Sequence, residues 1–224
     1  MIGRGNKRVR KTLVSFWGTP GSGKSTAAYT LMALLKHRDI RVAFAPEYAL
    51  DCVWKGDDRT LVNHPLSIIA HQSERCVNPV LPLEERGEAD VVITDSHPLM
   101  AVSYLRFYQQ YHTSLLEQGL ENFAFTLHNS DFNGAFKWQV GVFIGSPSKE
   151  RFMPYGRRER SAKESRALEC YVRDTFVKGF SGADKDVTLA RGGTQQGVVT
   201  RQASETLEGT QRFLQDSVVP LVVA

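Results

Sequence analysis

The chain has 224 residues, of which 42% are hydrophobic and 23% charged, with a net charge of +4. This length suits one α/β domain with a sizeable core, residues 1–224, and the composition is that of an ordinary soluble protein. The sequence has no apolar run long enough to span a bilayer and no hydrophobic secretion segment, so we expect a cytoplasmic protein. Cys52, Cys76 and Cys170 are widely spaced, which argues against a disulfide framework or zinc site and predicts buried thiols.

Positive charge is concentrated in two stretches of the chain. Residues 1–11 hold five Lys and Arg residues and are predicted to form a basic N-terminal tail, and residues 149–163 hold a second group. Together with the pI near 9.0, these clusters favour a polyanionic partner such as DNA. An ordinary solvated surface is the alternative that the charge alone leaves open.

A glycine-rich loop follows the first predicted strand, Thr12–Trp17, and precedes a helix predicted over Thr26–Lys36. It matches the spacing G-x-x-x-x-G-K-[ST] in full and lies between a strand and a helix, as a phosphate-binding loop requires. Backbone N–H groups of such a loop, together with the helix N-terminus, bind a polyphosphate. The candidate ATP-binding residues are Gly18, Thr19, Pro20, Gly21, Ser22, Gly23, Lys24, Ser25 and Thr26.

Two of these residues carry specific chemistry. Lys24 is predicted to bridge the β- and γ-phosphates of ATP, and the Ser25 hydroxyl to ligate Mg²⁺. A second strand, Ile40–Ala45, ends at Pro46, so Glu47 is predicted at the carboxyl edge of the sheet, where α/β proteins bind ligands. A carboxylate there accepts a hydroxyl proton or holds the acceptor.

A continuous β-branched strand over Ala89–Asp95 ends on an aspartate, which is the Walker B pattern, and places Asp95 near the Mg²⁺ site. Before it, a helix over Ser67–Cys76 carries Gln72, Glu74 and Arg75. Two interpretations of these side chains stay open: a face toward a substrate cleft, or an exposed helix face.

The second half of the chain is predicted to continue with a helix over Leu99–Glu117 and strands over Asn122–Leu127 and Lys137–Ile144, which are compatible with a hairpin. A basic loop follows, and a helix is predicted over Ser161–Lys178. Residues 129–163 are therefore interpreted as a hairpin and lid insertion.

Arg157 and Arg158 are the candidate catalytic residues of that lid, because arginine holds phosphate oxygens in a bidentate fork. A short strand over Asp186–Ala190, a Gly-rich loop over Arg191–Gly197 that would back the adenine, and a helix over Thr200–Val219 complete the chain. The predicted fold is a three-layer α/β P-loop NTPase fold with a mainly parallel sheet flanked by helices, and an arginine-bearing lid.

With these residues in place, the chain resembles the thymidylate-kinase-like branch of P-loop kinases. Pro46-Glu47-Tyr48-Ala49 is similar to the P-E-Y-A segment of nicotinamide riboside kinases. Thr94-Asp95-Ser96-His97-Pro98 is similar to the T-D-S-P segment of phage-encoded kinases, and Pro154-Tyr155-Gly156-Arg157-Arg158 is a shortened form of their lid motif. In a phage, such a protein would act in the host cytoplasm.

This resemblance implies an ATP- and Mg²⁺-dependent kinase whose acceptor is a nucleoside-type hydroxyl. One phage subfamily phosphorylates 5-hydroxymethyluracil within DNA, and the basic tail together with Phe136, Lys137 and Trp138 favours that acceptor. A free deoxynucleoside monophosphate or nucleoside, including one like nicotinamide riboside, is the alternative. A hydrolytic P-loop ATPase ranks lower, because Asp95 is followed by Ser96 rather than by a water-activating glutamate.

Overall fold

The structure, a computed structural model, describes residues 11–56, 65–80, 89–108, 119, 122, 126, 135–145, 162–179, 188–189, 195–201 and 207–223. The first half contains β1 (Thr12–Trp17), α1 (Lys24–Lys36), β2 (Val42–Ala45), α2 (Tyr48–Trp54), α3 (Pro65–Val77), a 3₁₀ turn (Asn78–Val80), β3 (Val91–Thr94) and α4 (Met100–Tyr108). The second half contains β4 (Trp138–Ile144), α5 (Ala162–Gly179), β5 (Thr188–Leu189), β6 (Gln195–Arg201), α6 (Leu207–Phe213), a short π-helix (Leu214–Val218) and α7 (Val219–Val223).

The strands form one sheet in the order β2-β3-β1-β4-β6-β5. β2, β3, β1, β4 and β6 run parallel, and β5 pairs antiparallel with β6. In the register, Ser15 of β1 lies beside Thr94 of β3, and Ala45 of β2 lies beside the same threonine. The carboxyl ends of β1, β2 and β3 therefore meet at one edge of the sheet, and the predicted α/β fold is confirmed.

Both faces of the sheet are covered, so its strands are apolar on both sides. Alternate residues of β1 point to opposite faces. Val14 and Phe16 pack with α1 and the C-terminal helical segment, through residues such as Leu31 and Leu214. On the other face, Trp17 packs in a cluster with residues of α4 and α5. This arrangement gives the three layers that the sequence predicts.

The strand predicted over Asn122–Leu127 is wrong at the two of its residues that the structure describes. Asn122 and Thr126 are both helical. The Thr126 hydroxyl donates a hydrogen bond to the Asn122 carbonyl oxygen at 2.8 Å, a contact between residues four apart that a helix allows and a strand does not. The apolar residues between them suit either element, and this short run lacks a periodicity that separates the two.

The end of the chain also departs from the sequence prediction. At the described residues 195–201, the end of the loop predicted up to Gly197 and the start of the helix predicted at Thr200 are replaced by β6, whose Gly197 pairs with Val140 of β4. The Val-Val-Thr run within Q-Q-G-V-V-T-R favours a strand, and backbone pairing with β4 stabilises it. The closing helical segment is described from Leu207 onward, and a π-helix over Leu214–Val218 precedes Pro220, whose missing N–H would interrupt an α-helix.

Candidate active site

The loop between β1 and α1 is built on backbone conformations that favour glycine. Gly18, Gly21 and Gly23 have φ angles of +147°, +72° and +95°. A Cβ atom on Gly18 would lie 2.3 Å from the Ile144 carbonyl oxygen and 2.7 Å from the Ser22 Oγ. A side chain at residue 18 would therefore push the loop away from the end of β4.

The loop leads into α1 without a side-chain cap. Gly23 is the N-cap residue, makes no side-chain cap hydrogen bond, and is followed by a first turn without acidic residues. A Cβ atom built on Gly23 would meet nothing within 4 Å in the described structure. The first N–H groups of α1 and the positive end of its dipole directly follow this loop, an arrangement that suits the binding of an anion.

Lys24 and Thr19 link the two ends of this loop. The Lys24 side chain is buried, and its Nζ donates a hydrogen bond to the Thr19 carbonyl oxygen at 2.9 Å. The Thr19 hydroxyl is in turn within 3.2 Å of the Ser165 hydroxyl, and both side chains are fully buried. Ser165 belongs to α5, so this helix rests on the phosphate-binding loop. No local pattern in the sequence indicates that Ser165 lies there.

Asp95 lies directly beyond the last residue of β3 and meets the loop from the neighbouring strand. The Ser25 hydroxyl donates a hydrogen bond to Asp95 Oδ2 at 2.9 Å. Asp95 is 5% exposed, and its Oδ1 has no hydrogen-bond partner among the described residues. The Ser25 hydroxyl and the Asp95 carboxylate form a set of oxygen donors that fits Mg²⁺. This ion binds through one or two protein oxygens together with phosphates and water.

Glu47 lies on the same edge of the sheet, two residues beyond Ala45 of β2. It is half-buried, occupies the N-cap position of α2 with φ −63° and ψ 119°, and makes no side-chain cap hydrogen bond. Because Ala45 pairs with Thr94, the residues that follow these two strands, Glu47 and Asp95, leave the sheet side by side. The structure thus brings the two candidate carboxylates to one edge.

Helix α3 carries the three polar side chains whose direction the sequence left open. Gln72 is buried and bonded to the segment around Glu47. The Arg75 guanidinium donates to the Pro46 carbonyl oxygen at 3.2 Å, pairs with Asp51, and lies 5.0 Å from the centre of the Tyr48 ring. The Glu74 side chain is 63% exposed. The exposed-face interpretation therefore holds for Glu74, whereas Gln72 is buried and Arg75 is held by Pro46 and Asp51.

Cys76 lies one turn beyond Gln72 in the same buried region. Burial raises the pKa of its thiol from 9.0 to about 12, and the hydrogen bonds of Thr94 and Gln72 oppose that rise without overcoming it. Cys52 is also buried, as predicted, but Cys170 is exposed, so that prediction was wrong at Cys170. Its position on the solvent side of α5 explains the difference.

The aromatic residues that favoured a DNA acceptor do not form a stacking surface. Phe136 is 1% exposed and Trp138 is 7% exposed, and each belongs to a hydrophobic core cluster. Since Trp138 begins β4, its side chain is fixed by the packing of the sheet. This part of the argument for DNA was wrong.

Other predicted features lie at or beyond the described residues. Lys11 is held to the sheet: its Nζ donates to the Val80 carbonyl oxygen at 2.7 Å, and its own carbonyl accepts from the Lys137 N–H. Residues 1–10 of the basic tail, and Arg157 and Arg158 of the lid, lie outside the described residues. No helix in the described ranges is long and apolar enough to cross a membrane.

Comparison with known proteins agrees with this fold. A family model described as "AAA domain" matches residues 13–174. The thymidylate kinase of Candida albicans has a similar structure, with a TM-score of 0.54 and 15% identity over 93% of this chain and 91% of that chain. The deoxyadenosine kinase of M. mycoides with bound dATP gives a TM-score of 0.54 and 13% identity over 92% and 98%. The same kinase with dCTP gives 0.55 and 12% over the same shares. The search of curated proteins found no matching sequence.

Proposed function

Because this chain belongs to the AAA domain family, we propose that its loop binds ATP and that the protein is a kinase transferring the γ-phosphate to a hydroxyl of a nucleoside-type acceptor. The observation that carries the proposal is the 2.9 Å hydrogen bond between Ser25 and Asp95. It joins the loop to the aspartate after β3, which is the pair that holds the metal of bound ATP in P-loop enzymes. The likeness in fold to thymidylate and deoxyadenosine kinases supports the choice of a kinase.

In this mechanism the acceptor oxygen forms a bond to the γ-phosphorus while the bond from that phosphorus to the β–γ bridging oxygen breaks. Lys24 and the N–H groups at the start of α1 stabilise the negative charge on the phosphoryl oxygens. Ser25 and Asp95 would hold Mg²⁺, which when bound neutralises part of the phosphate charge.

The acceptor side of the reaction belongs to the other carboxylate and to the lid. Glu47, with Asp95 as the alternative, orients the acceptor hydroxyl and takes its proton. Arg157 and Arg158 bind the transferred phosphate by the bidentate geometry of the guanidinium. Glu47 suits the role of base better, because the Asp95 carboxylate already accepts the Ser25 hydroxyl hydrogen bond.

The geometry after β3 favours transfer over hydrolysis. Hydrolytic P-loop motors place a glutamate after the Walker B aspartate to activate water, whereas here Ser96 is buried and its hydroxyl lies 3.8 Å from the Met100 sulfur. A kinase benefits from the exclusion of water near the γ-phosphate. We therefore propose low turnover of ATP without an acceptor.

The acceptor is the finer part of the proposal. The sequence resemblance favours 5-hydroxymethyluracil within DNA, and the basic segments 1–10 and 149–163 support it. The similar structures are those of a thymidylate kinase and a deoxyadenosine kinase, and these names support a free deoxynucleoside or its monophosphate. Since Phe136 and Trp138 are buried, we rank the free nucleoside-type acceptor first and the modified DNA second.

Transfer of γ-labelled phosphate tests both levels of the proposal. The acceptors are duplex DNA containing 5-hydroxymethyluracil, the same duplex with thymine, and a panel of free nucleosides and monophosphates. We expect label in a free nucleoside or monophosphate with the wild type and none with Lys24→Ala. Label in the modified duplex alone would reverse the ranking of acceptors. Fast ATP hydrolysis with no labelled acceptor would contradict the kinase.

A further inference from the structure

Gln72 lies between the two carboxylates at the edge of the sheet, at the point where β2 and β3 stop pairing. Ala45 and Thr94 form the last pair of these strands. Beyond it the two chains separate, and their backbone groups need other partners. The buried side-chain amide of Gln72, 2% exposed, occupies this position.

The two ends of the amide bind the backbone on either side of Glu47. Gln72 Nε2 donates a hydrogen bond to the Pro46 carbonyl oxygen at 3.2 Å, and Gln72 Oε1 accepts one from the Tyr48 N–H at 2.6 Å. These two groups belong to the peptide planes immediately before and after Glu47. Together they fix the orientation of both planes, and hence the direction in which the Glu47 side chain leaves the backbone.

The same amide also reaches the segment that carries Asp95. Gln72 Nε2 donates a second hydrogen bond, to Thr94 Oγ1 at 3.1 Å. The Thr94 hydroxyl then donates to the Ser96 carbonyl oxygen at 2.8 Å and accepts from the Ser96 N–H at 3.3 Å. Thr94 and Ser96 flank Asp95, so the position of that carboxylate is tied to the same amide.

The partners of Gln72 determine which end of the amide is oxygen and which is nitrogen. The Pro46 carbonyl can only accept, and the Tyr48 N–H can only donate. Tyr48 is the first residue of α2, so its N–H has no partner inside that helix. Gln72 supplies the missing acceptor from another helix, and the Glu47 side chain makes no cap bond of its own.

We propose that Gln72 is a positioning residue for phosphoryl transfer, which sets the separation of Glu47 and Asp95 by binding the backbone around each. This inference rests on the proposed function, because it assigns Glu47 and Asp95 their roles in the reaction. A displacement of about 1 Å in a reacting group can lower a rate by about a hundredfold. Loss of the amide should therefore slow transfer without weakening the binding of ATP, which the loop after β1 provides.

Two variants of Gln72 and one control test the proposal. Gln72→Met keeps the length of the side chain and removes the hydrogen bonds to Pro46, Tyr48 and Thr94. Gln72→Glu keeps the acceptor for the Tyr48 N–H and places an oxygen against the Pro46 carbonyl, so it serves if the methionine variant fails to fold. Glu74→Gln is the control, because Glu74 lies two residues along on the exposed side of the same helix.

The first measurement is kinetic, with the acceptor that wild type labels most rapidly in the panel above. We expect kcat to fall about 10- to 100-fold in Gln72→Met, with the KM for ATP within about twofold of wild type and no change in Glu74→Gln. When Glu47 is already replaced by Gln, adding Gln72→Met should lower kcat by less than about threefold, since the carboxylate that Gln72 positions is already absent. Equal losses in both backgrounds, or a parallel loss of ATP binding, would overturn the proposal.

The second measurement does not depend on activity. Crystal structures of wild type and the Gln72 variants should show residues 46–48 displaced relative to β3 in the variants. If those residues stay in place, Gln72 does not position them, and the proposal fails whatever the kinetics show. If they move but wild type labels no acceptor, the proposed kinase function fails, and with it the catalytic role of Gln72.

Discussion

The burial of Asp95 in the candidate site is expected to lower the stability of the folded protein. A buried carboxylate is unfavourable unless hydrogen bonds or charges compensate for its lost hydration. Among the described residues, Asp95 accepts the Ser25 hydroxyl on one oxygen, and its other oxygen has no partner. The arrangement is poor for stability and good for binding a cation. A buried polar atom without a hydrogen-bond partner is typical of functional positions.

Replacement of this carboxylate by an amide should therefore separate stability from activity. In Asp95→Asn we expect a free energy of unfolding equal to or above that of wild type without Mg²⁺, because no charge is then buried. We expect kcat to fall by about 10²- to 10³-fold. Urea unfolding and phosphoryl transfer are the measurements. A variant that loses stability in step with activity would show that Asp95 is a structural residue.

Cys76 gives a prediction about alkaline pH. Its thiol has a pKa of about 12 in the folded chain and an ordinary value of 9.0, because burial disfavours the thiolate. Above pH 9 the unfolded chain releases this proton and the folded chain keeps it, so stability falls as pH rises from about 9 toward 12. Between pH 8 and pH 10, wild type should lose about 1 kcal/mol more unfolding free energy than Cys76→Ala.

Urea unfolding at the two pH values measures this difference. Cys170→Ala is the matched control, since it makes the same substitution at an exposed cysteine. An identical alkaline loss in Cys76→Ala would mean that the thiol does not titrate differently in the two states.

At the scale of elements, the predictable parts of the fold are those whose local pattern and tertiary environment agree. β1 was predicted at its observed bounds, Thr12–Trp17, because a strand buried on both faces is apolar throughout. The loop after it was predictable because binding a phosphate requires glycines at fixed spacing.

The parts that were missed depend on distant partners. β6 is stabilised by backbone pairing with β4, and no pattern within Gln195–Arg201 indicates that β4 lies beside it. Ser165 reaches the loop from a helix whose placement only the fold determines, and the direction of Gln72 stayed open in the sequence for the same reason. The roles of Arg157 and Arg158 stay predictions, because those residues lie outside the described ranges.

The packing of α5 against the end of β1 yields a prediction at this scale. Phe176 of α5 is 3% exposed, with its ring 5.3 Å from Trp17 and 5.5 Å from Phe143. Trp17 directly precedes the phosphate-binding loop. Phe176→Ala should lower the free energy of unfolding by about 3–5 kcal/mol through the cavity that it leaves.

Urea unfolding, monitored by tryptophan fluorescence, measures that effect. Arg166→Ala, an exposed position on the same helix, should change stability by no more than about 0.5 kcal/mol. If Phe176→Ala unfolds at the same urea concentration as this control, α5 contributes little to holding the end of β1.

At the scale of the whole molecule, the open question is whether the positive charge serves a polymer. Residues 1–10 carry four Lys and Arg residues and precede Lys11, which is bonded to the sheet. Deletion of residues 1–10 therefore removes charge without removing any described contact. For a free nucleoside-type acceptor, we expect transfer to be unchanged by the deletion.

For a DNA acceptor the outcome differs, because each phosphate contact releases counterions. Affinity for duplex DNA would then fall on deletion, and the salt dependence of binding would weaken by up to about three to four units of slope. Fluorescence anisotropy with a labelled duplex at several salt concentrations measures this. An unchanged slope would assign the tail an ordinary solvated role.

The order of the strands has a consequence for how this protein could change over evolution. β1, with its phosphate-binding loop, lies between β3 and β4, whereas β2 is an outer strand of the sheet in the part of the chain that the structure describes. The phosphate-binding loop therefore follows a central strand, whereas Glu47 follows an outer strand. Loops added beside the outer strand would leave the core unchanged. Under the proposed function, a chain built this way can exchange one acceptor for another over generations while the loop proposed to bind ATP stays the same.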